Sequence, residues 1–242
     1  MPTAVTHQLI AEEVYFRLPK EQKEEIFSLP HYYLGAQGAD LLFLYRFFNF
    51  SSENFGRFLH TTQPYLFFQI LCEESQKNKE VRSYACGHIT HYAGDTVFHP
   101  HIYGKMQRER GGTLLHHAME HAYDGVLLKQ YRKRNLFFYR LPKGTGKNLS
   151  LSGIYNVYAR YASESGWGEL YEEDFYSAIK RYYAFAAIRM PLLRKKLAER
   201  ARELFEESVE RGVALIERFL KSECKDLDKK EFSKHYLNGK IV

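Results

Sequence analysis

Seven of the chain's eleven histidines fall within residues 87–124, GHITHYAGDTVFHPHIYGKMQRERGGTLLHHAMEHAYD. Two pairs inside that stretch repeat one spacing: His91 with Asp95, and His116 with Glu120, each four residues apart. On a helix this spacing projects an imidazole and a carboxylate from one face, one turn apart, where both can reach a single cation. His88 extends the first face by one turn, and Asp124 extends the second. Imidazole and carboxylate donors without thiolate suit zinc, and mixed sets of this kind are typical of catalytic sites that keep an open position. Iron and manganese fit the same donors. A satisfied core histidine or a solvated helix face explains any one of these residues, but not two matched pairs and seven histidines together.

The elements that must position these residues read as helices. Pro100, between His99 and His101, is expected to end the first histidine-bearing helix over residues 84–98, so that both neighbouring imidazoles leave from a kink or turn. Gly111, Gly112 and Thr113 introduce the second. Upstream, the stripe Val5, Leu9, Ile10 and Val14 predicts a helix that carries His7 and stops before Pro19, and a short helix over 21–29 stops before Pro30. HYYLGAQGAD then reads as a loop. Asp40 at its end is placed to cap the apolar run LLFLYRFF, and spacing alone leaves a cap and a metal ligand equally open there. Residues 51–59 read as a helix ending at His60, and another follows Pro64. Helical periodicity returns over 154–166 and 171–189 and in the stripe from Leu193 to Leu220, after a loop over 141–151. The GTGK in that loop has neither the spacing nor the preceding strand of a phosphate loop. No strand pattern or internal repeat stands out. The expected architecture is an all-α bundle forming a single domain over residues 1–242, with a metal-site core at 31–124 and C-terminal helices at 154–222.

Bulk properties narrow the function classes. A hydrophobic fraction of 45% over 242 residues supports a full core and excludes disorder. Apolar runs fall far short of the roughly 20 residues that span a bilayer, so no transmembrane segment is expected. The start, MPTAVTHQLIAEEVYF, lacks a basic head and an uninterrupted apolar stretch, which predicts no signal peptide and a cytoplasmic location. Cys72, Cys86 and Cys224 form no even framework or CxxC pair and are expected to be reduced thiols. A net charge of +6 favours anionic partners such as phosphate esters, lipid headgroups or nucleic acid. Several metal families are excluded by missing motifs: there is no HD dipeptide, no paired ExxH and no HExxH.

With GHITHYAGD, HPH and HHAMEHAYD in view, the chain resembles the bacterial zinc-dependent phospholipase C family, whose all-α fold is shared with single-strand-specific zinc nucleases. The family pattern is a HYxxD helix, a proline-adjacent histidine and an HxxxExxxD helix around up to three zincs. HYAGD matches it at His91 and Asp95, His101 falls six residues after the aspartate, and HHAMEHAYD matches at His116, Glu120 and Asp124. GAQGAD resembles the family's Gly-Ala-containing segment ending in the aspartate that serves as ligand and base, which implies Asp40, and FLHTT supplies His60. The match is densest over 87–124 and thinner over 35–60.

The resemblance implies that His60, His91 and Asp95 hold one Zn2+ and His101, His116 and Glu120 a second, with Asp40 as ligand and catalytic base. His7 is placed to match the histidine of a third zinc site, which secreted relatives complete with an N-terminal tryptophan. The only tryptophan here is Trp167, and Ala39 stands where the family commonly has proline. His99 is a rival to His101, and His88 and His117 are extra imidazoles whose expected use is to orient ligands. The implied activity is phospholipase C-like hydrolysis of a phosphodiester or phosphomonoester by zinc-activated water. A phospholipid headgroup is favoured over nucleic acid, with peripheral contact to a membrane. A nuclease or nucleotidase on the same fold is one alternative, and a non-catalytic zinc-binding module for lipid headgroups is another.

Overall fold

The computed structural model describes residues 4–46, 54–110, 112–132, 149–186, 196–222, 224–234, 236–237 and 240–241. Its helices are α1 (Ala4–Arg17), α2 (Lys20–Glu24), α3 (Leu29–Gly35), α4 (Phe55–Thr61), α5 (Pro64–Lys77), α6 (Lys79–Arg108), α7 (Thr113–Arg132), α8 (Ser152–Glu164), α9 (Glu172–Ala186), α10 (Ala201–Lys221) and α11 (Lys229–Phe232). Short 3-10 turns at Gly38–Leu42 and Cys224–Asp226 join some of them. The fold is all-α apart from an antiparallel pair of two-residue strands, Tyr236–Leu237 with Lys240–Ile241. Among the described residues no helix is long and apolar enough to cross a membrane.

α6 is the axis of the molecule, with α3, α10, α5 and α1 packed along it. It starts from Asn78, whose side-chain oxygen accepts from the N–H groups of Glu80 and Val81. Against it α3 lies backbone to backbone: a Cβ on Gly35 would stand 2.1 Å from the Tyr84 carbonyl oxygen, and one on Gly87 would stand 1.8 Å from that of Tyr32. Only glycine fits on both sides of such a crossing, and the contact fixes where the chain leaving α3 meets the middle of α6. On the other flank α10 buries Leu204, Phe205, Val209, Ile216 and Phe219 from one stripe, as its helical period predicts.

Four expectations are corrected. Pro100 does not end its helix; α6 runs 30 residues through it to Arg108. The proline is exposed and withholds one ladder hydrogen bond, while Phe98, His99 and Ile102 beside it are buried and hold the helix in place. Pro30 likewise sits in the first turn of α3, where no intrahelical N–H is needed, and the helix expected over 21–29 is only Lys20–Glu24, with residues 25–28 outside any helix. HYYLG is therefore helical, and Asp40 lies inside a 3-10 turn whose N-cap is Gln37, with no capping role. Finally, Cys72 and Cys224 are joined in a disulfide with Cα atoms 5.6 Å apart, leaving Cys86 as the free, buried thiol. The phosphate-loop-like GTGK, the segment 51–53 and Leu193 lie outside the described residues.

Candidate metal centre

Four separate elements bring their polar side chains to one buried point. α1 contributes His7, the Gly38–Leu42 turn contributes Asp40, α4 contributes His60, and α6 contributes His91 and Asp95. Asp95 is the pivot. Its Oδ2 stands 3.3 Å from Nε2 of both His60 and His91, and its Oδ1 stands 3.5 Å from Nε2 of His7 and from Nδ1 of His99. Asp40 faces the same imidazoles, with Oδ1 3.3 Å from His60 and 3.8 Å from His91, and Oδ2 4.0 Å from His7.

A second group lies on the next turn of α6. His99 converges with His116 and Glu120 of α7, and the His116 Nε2 to Glu120 Oε1 distance is 2.7 Å. His117, which is exposed, places its Nδ1 3.2 Å from the other oxygen of Glu120. Helix geometry explains why His99 holds this place. On an unbroken helix the residue four after Asp95 shares its face, whereas the residue six after it is turned well away. His101 is half-buried against Tyr123, with ring centroids 6.5 Å apart, and belongs to neither group. His88 also faces elsewhere, packed among Phe67, Phe68 and Tyr84. Asp124 lies outside the convergent groups, and its Oδ1 accepts from the backbone N–H and the hydroxyl of Thr6.

Two imidazoles are oriented by backbone carbonyls. The Gly56 carbonyl accepts from Nδ1 of His60 at 2.6 Å, and the Asp95 carbonyl accepts from Nδ1 of His99 at 3.2 Å. A carbonyl can only accept, so in each ring the proton sits on Nδ1; in His60 this leaves Nε2 facing Asp40 and Asp95. Gln37 anchors the turn that carries Asp40: its Oε1 accepts from the Tyr182 hydroxyl at 2.7 Å and its Nε2 donates to the Ala4 carbonyl at 3.3 Å. Gln37 carried no chemical signal in the sequence beyond its place in GAQGAD.

The electrostatics fit a cation. Asp40 and Asp95 are 3% and 2% exposed, and two buried carboxylates side by side require positive charge between them. Both ring nitrogens of His7 and His91, Nε2 of His60, and one oxygen each of Asp40 and Asp95 are buried without a hydrogen-bond partner among the described residues. Burial holds His91 and His99 well below the ordinary histidine range and His116 down to about 3, which keeps them neutral and ready to donate a lone pair. His60 behaves oppositely. Burial pulls it down, but the carboxylates of Asp40 and Asp95 outweigh burial and raise it to about 10. Without a metal, a proton on His60 takes the place a cation would fill.

A family model described as zinc-dependent phospholipase C matches residues 6–234 of the chain. No curated protein and no solved structure gave a match.

Proposed function

Because this chain belongs to the zinc-dependent phospholipase C family, we propose that it hydrolyses a phosphate ester at a cluster of two or three zinc ions. The observation that carries the reading is the pair of buried carboxylates, Asp40 and Asp95, facing unpartnered imidazole nitrogens of His7, His60 and His91. Asp40, His60, His91 and Asp95 would hold one ion, and His99, His116 and Glu120 the second, with His99 in the role the family pattern assigns to His101. His7 and Asp95 would supply donors to a third. Zinc bound there would supply positive charge to the phosphate ester and acidify a water molecule.

The chain's own residues do the rest. Asp40 is proposed as the base that takes a proton from that water. Gly56 and the backbone of Asp95 hold the rings of His60 and His99 in one tautomer, and His117 steadies Glu120 from outside. Arg57, exposed one turn before His60 on α4, pairs with no carboxylate among the described residues and is available to an anionic ligand. The family supports a lipid phosphate ester as the substrate over a free nucleotide.

Hydrolysis of p-nitrophenyl-phosphorylcholine and of bis-p-nitrophenyl phosphate tests the reading. Turnover that is lost to a chelator and restored by zinc is the expected result, with the choline ester preferred. Preference for the bis ester would favour the nuclease or nucleotidase reading. Zinc-loaded protein that turns over neither would favour a headgroup-binding module.

A further inference from the structure

The first turn of α1 is tied to the far side of the site by a buried carboxylate. Asp124 is 2% exposed, and its Oδ1 accepts from the Thr6 backbone N–H at 3.0 Å and from the Thr6 hydroxyl at 2.7 Å, across 118 residues of sequence. The first N–H groups of a helix have no intrahelical partner and carry the positive end of its dipole. A carboxylate set there is stabilised by those N–H groups. Gln37 holds the same turn from the other side through the Ala4 carbonyl.

The residue after Thr6 is His7. It is 0% exposed, and neither of its ring nitrogens has a hydrogen-bond partner among the described residues. Its Nε2 reaches toward Asp95 and Asp40 at 3.5 and 4.0 Å, and its ring lies 4.1 Å from that of His91. α1 enters the cluster through this one side chain among the converging donors. A shift of the first turn by a fraction of an ångström therefore moves the His7 donor directly, while Asp40, His60, His91 and Asp95 stand on other elements.

We propose that Asp124 is a positioning residue for His7: by clasping Thr6 it fixes the first turn of α1 and so sets whether the position between His7 and Asp95 takes up a zinc ion. The inference rests on the zinc reading of the site given above. It separates two uses of a carboxylate on α7, since Glu120 converges with imidazoles whereas Asp124, one turn further on, is committed to the start of another helix.

Zinc stoichiometry and competition with a chromophoric chelator test it, on wild-type protein and on His7→Ala, Asp124→Ala, Asp124→Asn and Thr6→Val. Asp124→Ala and His7→Ala are each expected to lose one and the same zinc, and the double variant to lose no more. Asp124→Asn keeps an acceptor oxygen and is expected to retain the full count. Thr6→Val keeps the backbone bond and loses the hydroxyl bond; it is expected to weaken one zinc by roughly tenfold or more and leave the others unchanged. This last variant decides the matter if Asp124→Ala does not fold. A full zinc count at wild-type affinity in Asp124→Ala or Thr6→Val would overturn the inference, and so would loss in Asp124→Asn as complete as in Asp124→Ala, which would make Asp124 a ligand. Wild-type protein that takes up no zinc would overturn the zinc reading itself, and the inference with it.

Discussion

Gly38 lies flat against the imidazole of His91. A Cβ added to it would stand 2.3 Å from Cδ2 and 2.4 Å from Cγ of that ring, and its φ of +52° is in the left-handed region. The turn that delivers Asp40 therefore rests on the ring of a second candidate ligand, and any side chain at position 38 drives the two apart. Gly38→Ala is expected to cost about 1–2 kcal/mol through its backbone alone, with a further loss from the clash. Thermal unfolding and metal content measure the two effects. Full metal content in a Gly38→Ala protein of unchanged stability would contradict the packing described.

His99 and His101 make the sharpest contrast among the imidazoles. His99 shares the face of Asp95 and converges with His116 and Glu120, whereas His101 stands against Tyr123. His99→Ala is expected to remove one zinc and lower turnover by two orders of magnitude or more, on the order of the loss of a Lewis acid worth several kcal/mol. His101→Ala is expected to leave metal content unchanged. The reverse pattern would restore the ligand set that the family spacing implies.

Stability of the metal-free protein should fall on both sides of neutrality. Burial pushes His88 and His116 down to about 3, so between that value and the ordinary histidine pKa of about 6.5 the unfolded chain binds protons that the folded chain does not. Stability is lost as pH falls through that window. His60 has the opposite sign: raised to about 10, it holds a proton when folded that the unfolded chain releases, so its contribution is whole below about 6.5 and lost as pH rises through 10. Zinc should flatten the alkaline arm, because His60 then faces a metal instead of carrying the proton. A series of melting temperatures with and without chelator checks this; a chelated protein that grows steadily more stable above pH 7 would contradict it.

The Cys72–Cys224 disulfide closes a loop across 152 residues and ties the Cys224–Asp226 turn to α5. Thiol titration of the oxidised, denatured protein should find one reactive group, Cys86. Cys224→Ser is expected to lower stability by about 2–4 kcal/mol. Three titrating thiols in protein purified without reductant would show that the bridge does not form. Such bonds persist in oxidising compartments, so the titration also bears on where the chain is kept.

Much of the site was legible because its chemistry follows helix periodicity. His91 with Asp95 and His116 with Glu120 are four apart in sequence and face one another in space, as the 3.6-residue repeat requires. The end of α1 before Pro19 was legible for the same reason, and so was amphipathic α10, although it starts at Ala201 and leaves Leu197 of the expected stripe in the turn before it. What depended on tertiary packing was not. The proline rule predicts a break at Pro100, but burial of Phe98, His99 and Ile102 outweighs one missing hydrogen bond, and the continuous helix brings His99 rather than His101 beside His116 and Glu120. The pairing of Cys72 with Cys224 could not come from a count of three cysteines, and the roles of Gln37 and Thr6 rest on contacts with Tyr182, Ala4 and Asp124 that no local pattern encodes.

Zinc held by buried carboxylates and imidazoles around Asp95 is the premise of the proposed activity. Elemental analysis of protein purified without a histidine tag, on wild type and on Asp95→Ala, tests it most directly. Two or three zinc ions per chain in the wild type, with loss of at least the one shared by His60 and His91 in the variant, is the predicted result. Zinc-replete protein that retains no metal, or a variant that retains all of it, would show that these residues do not hold zinc.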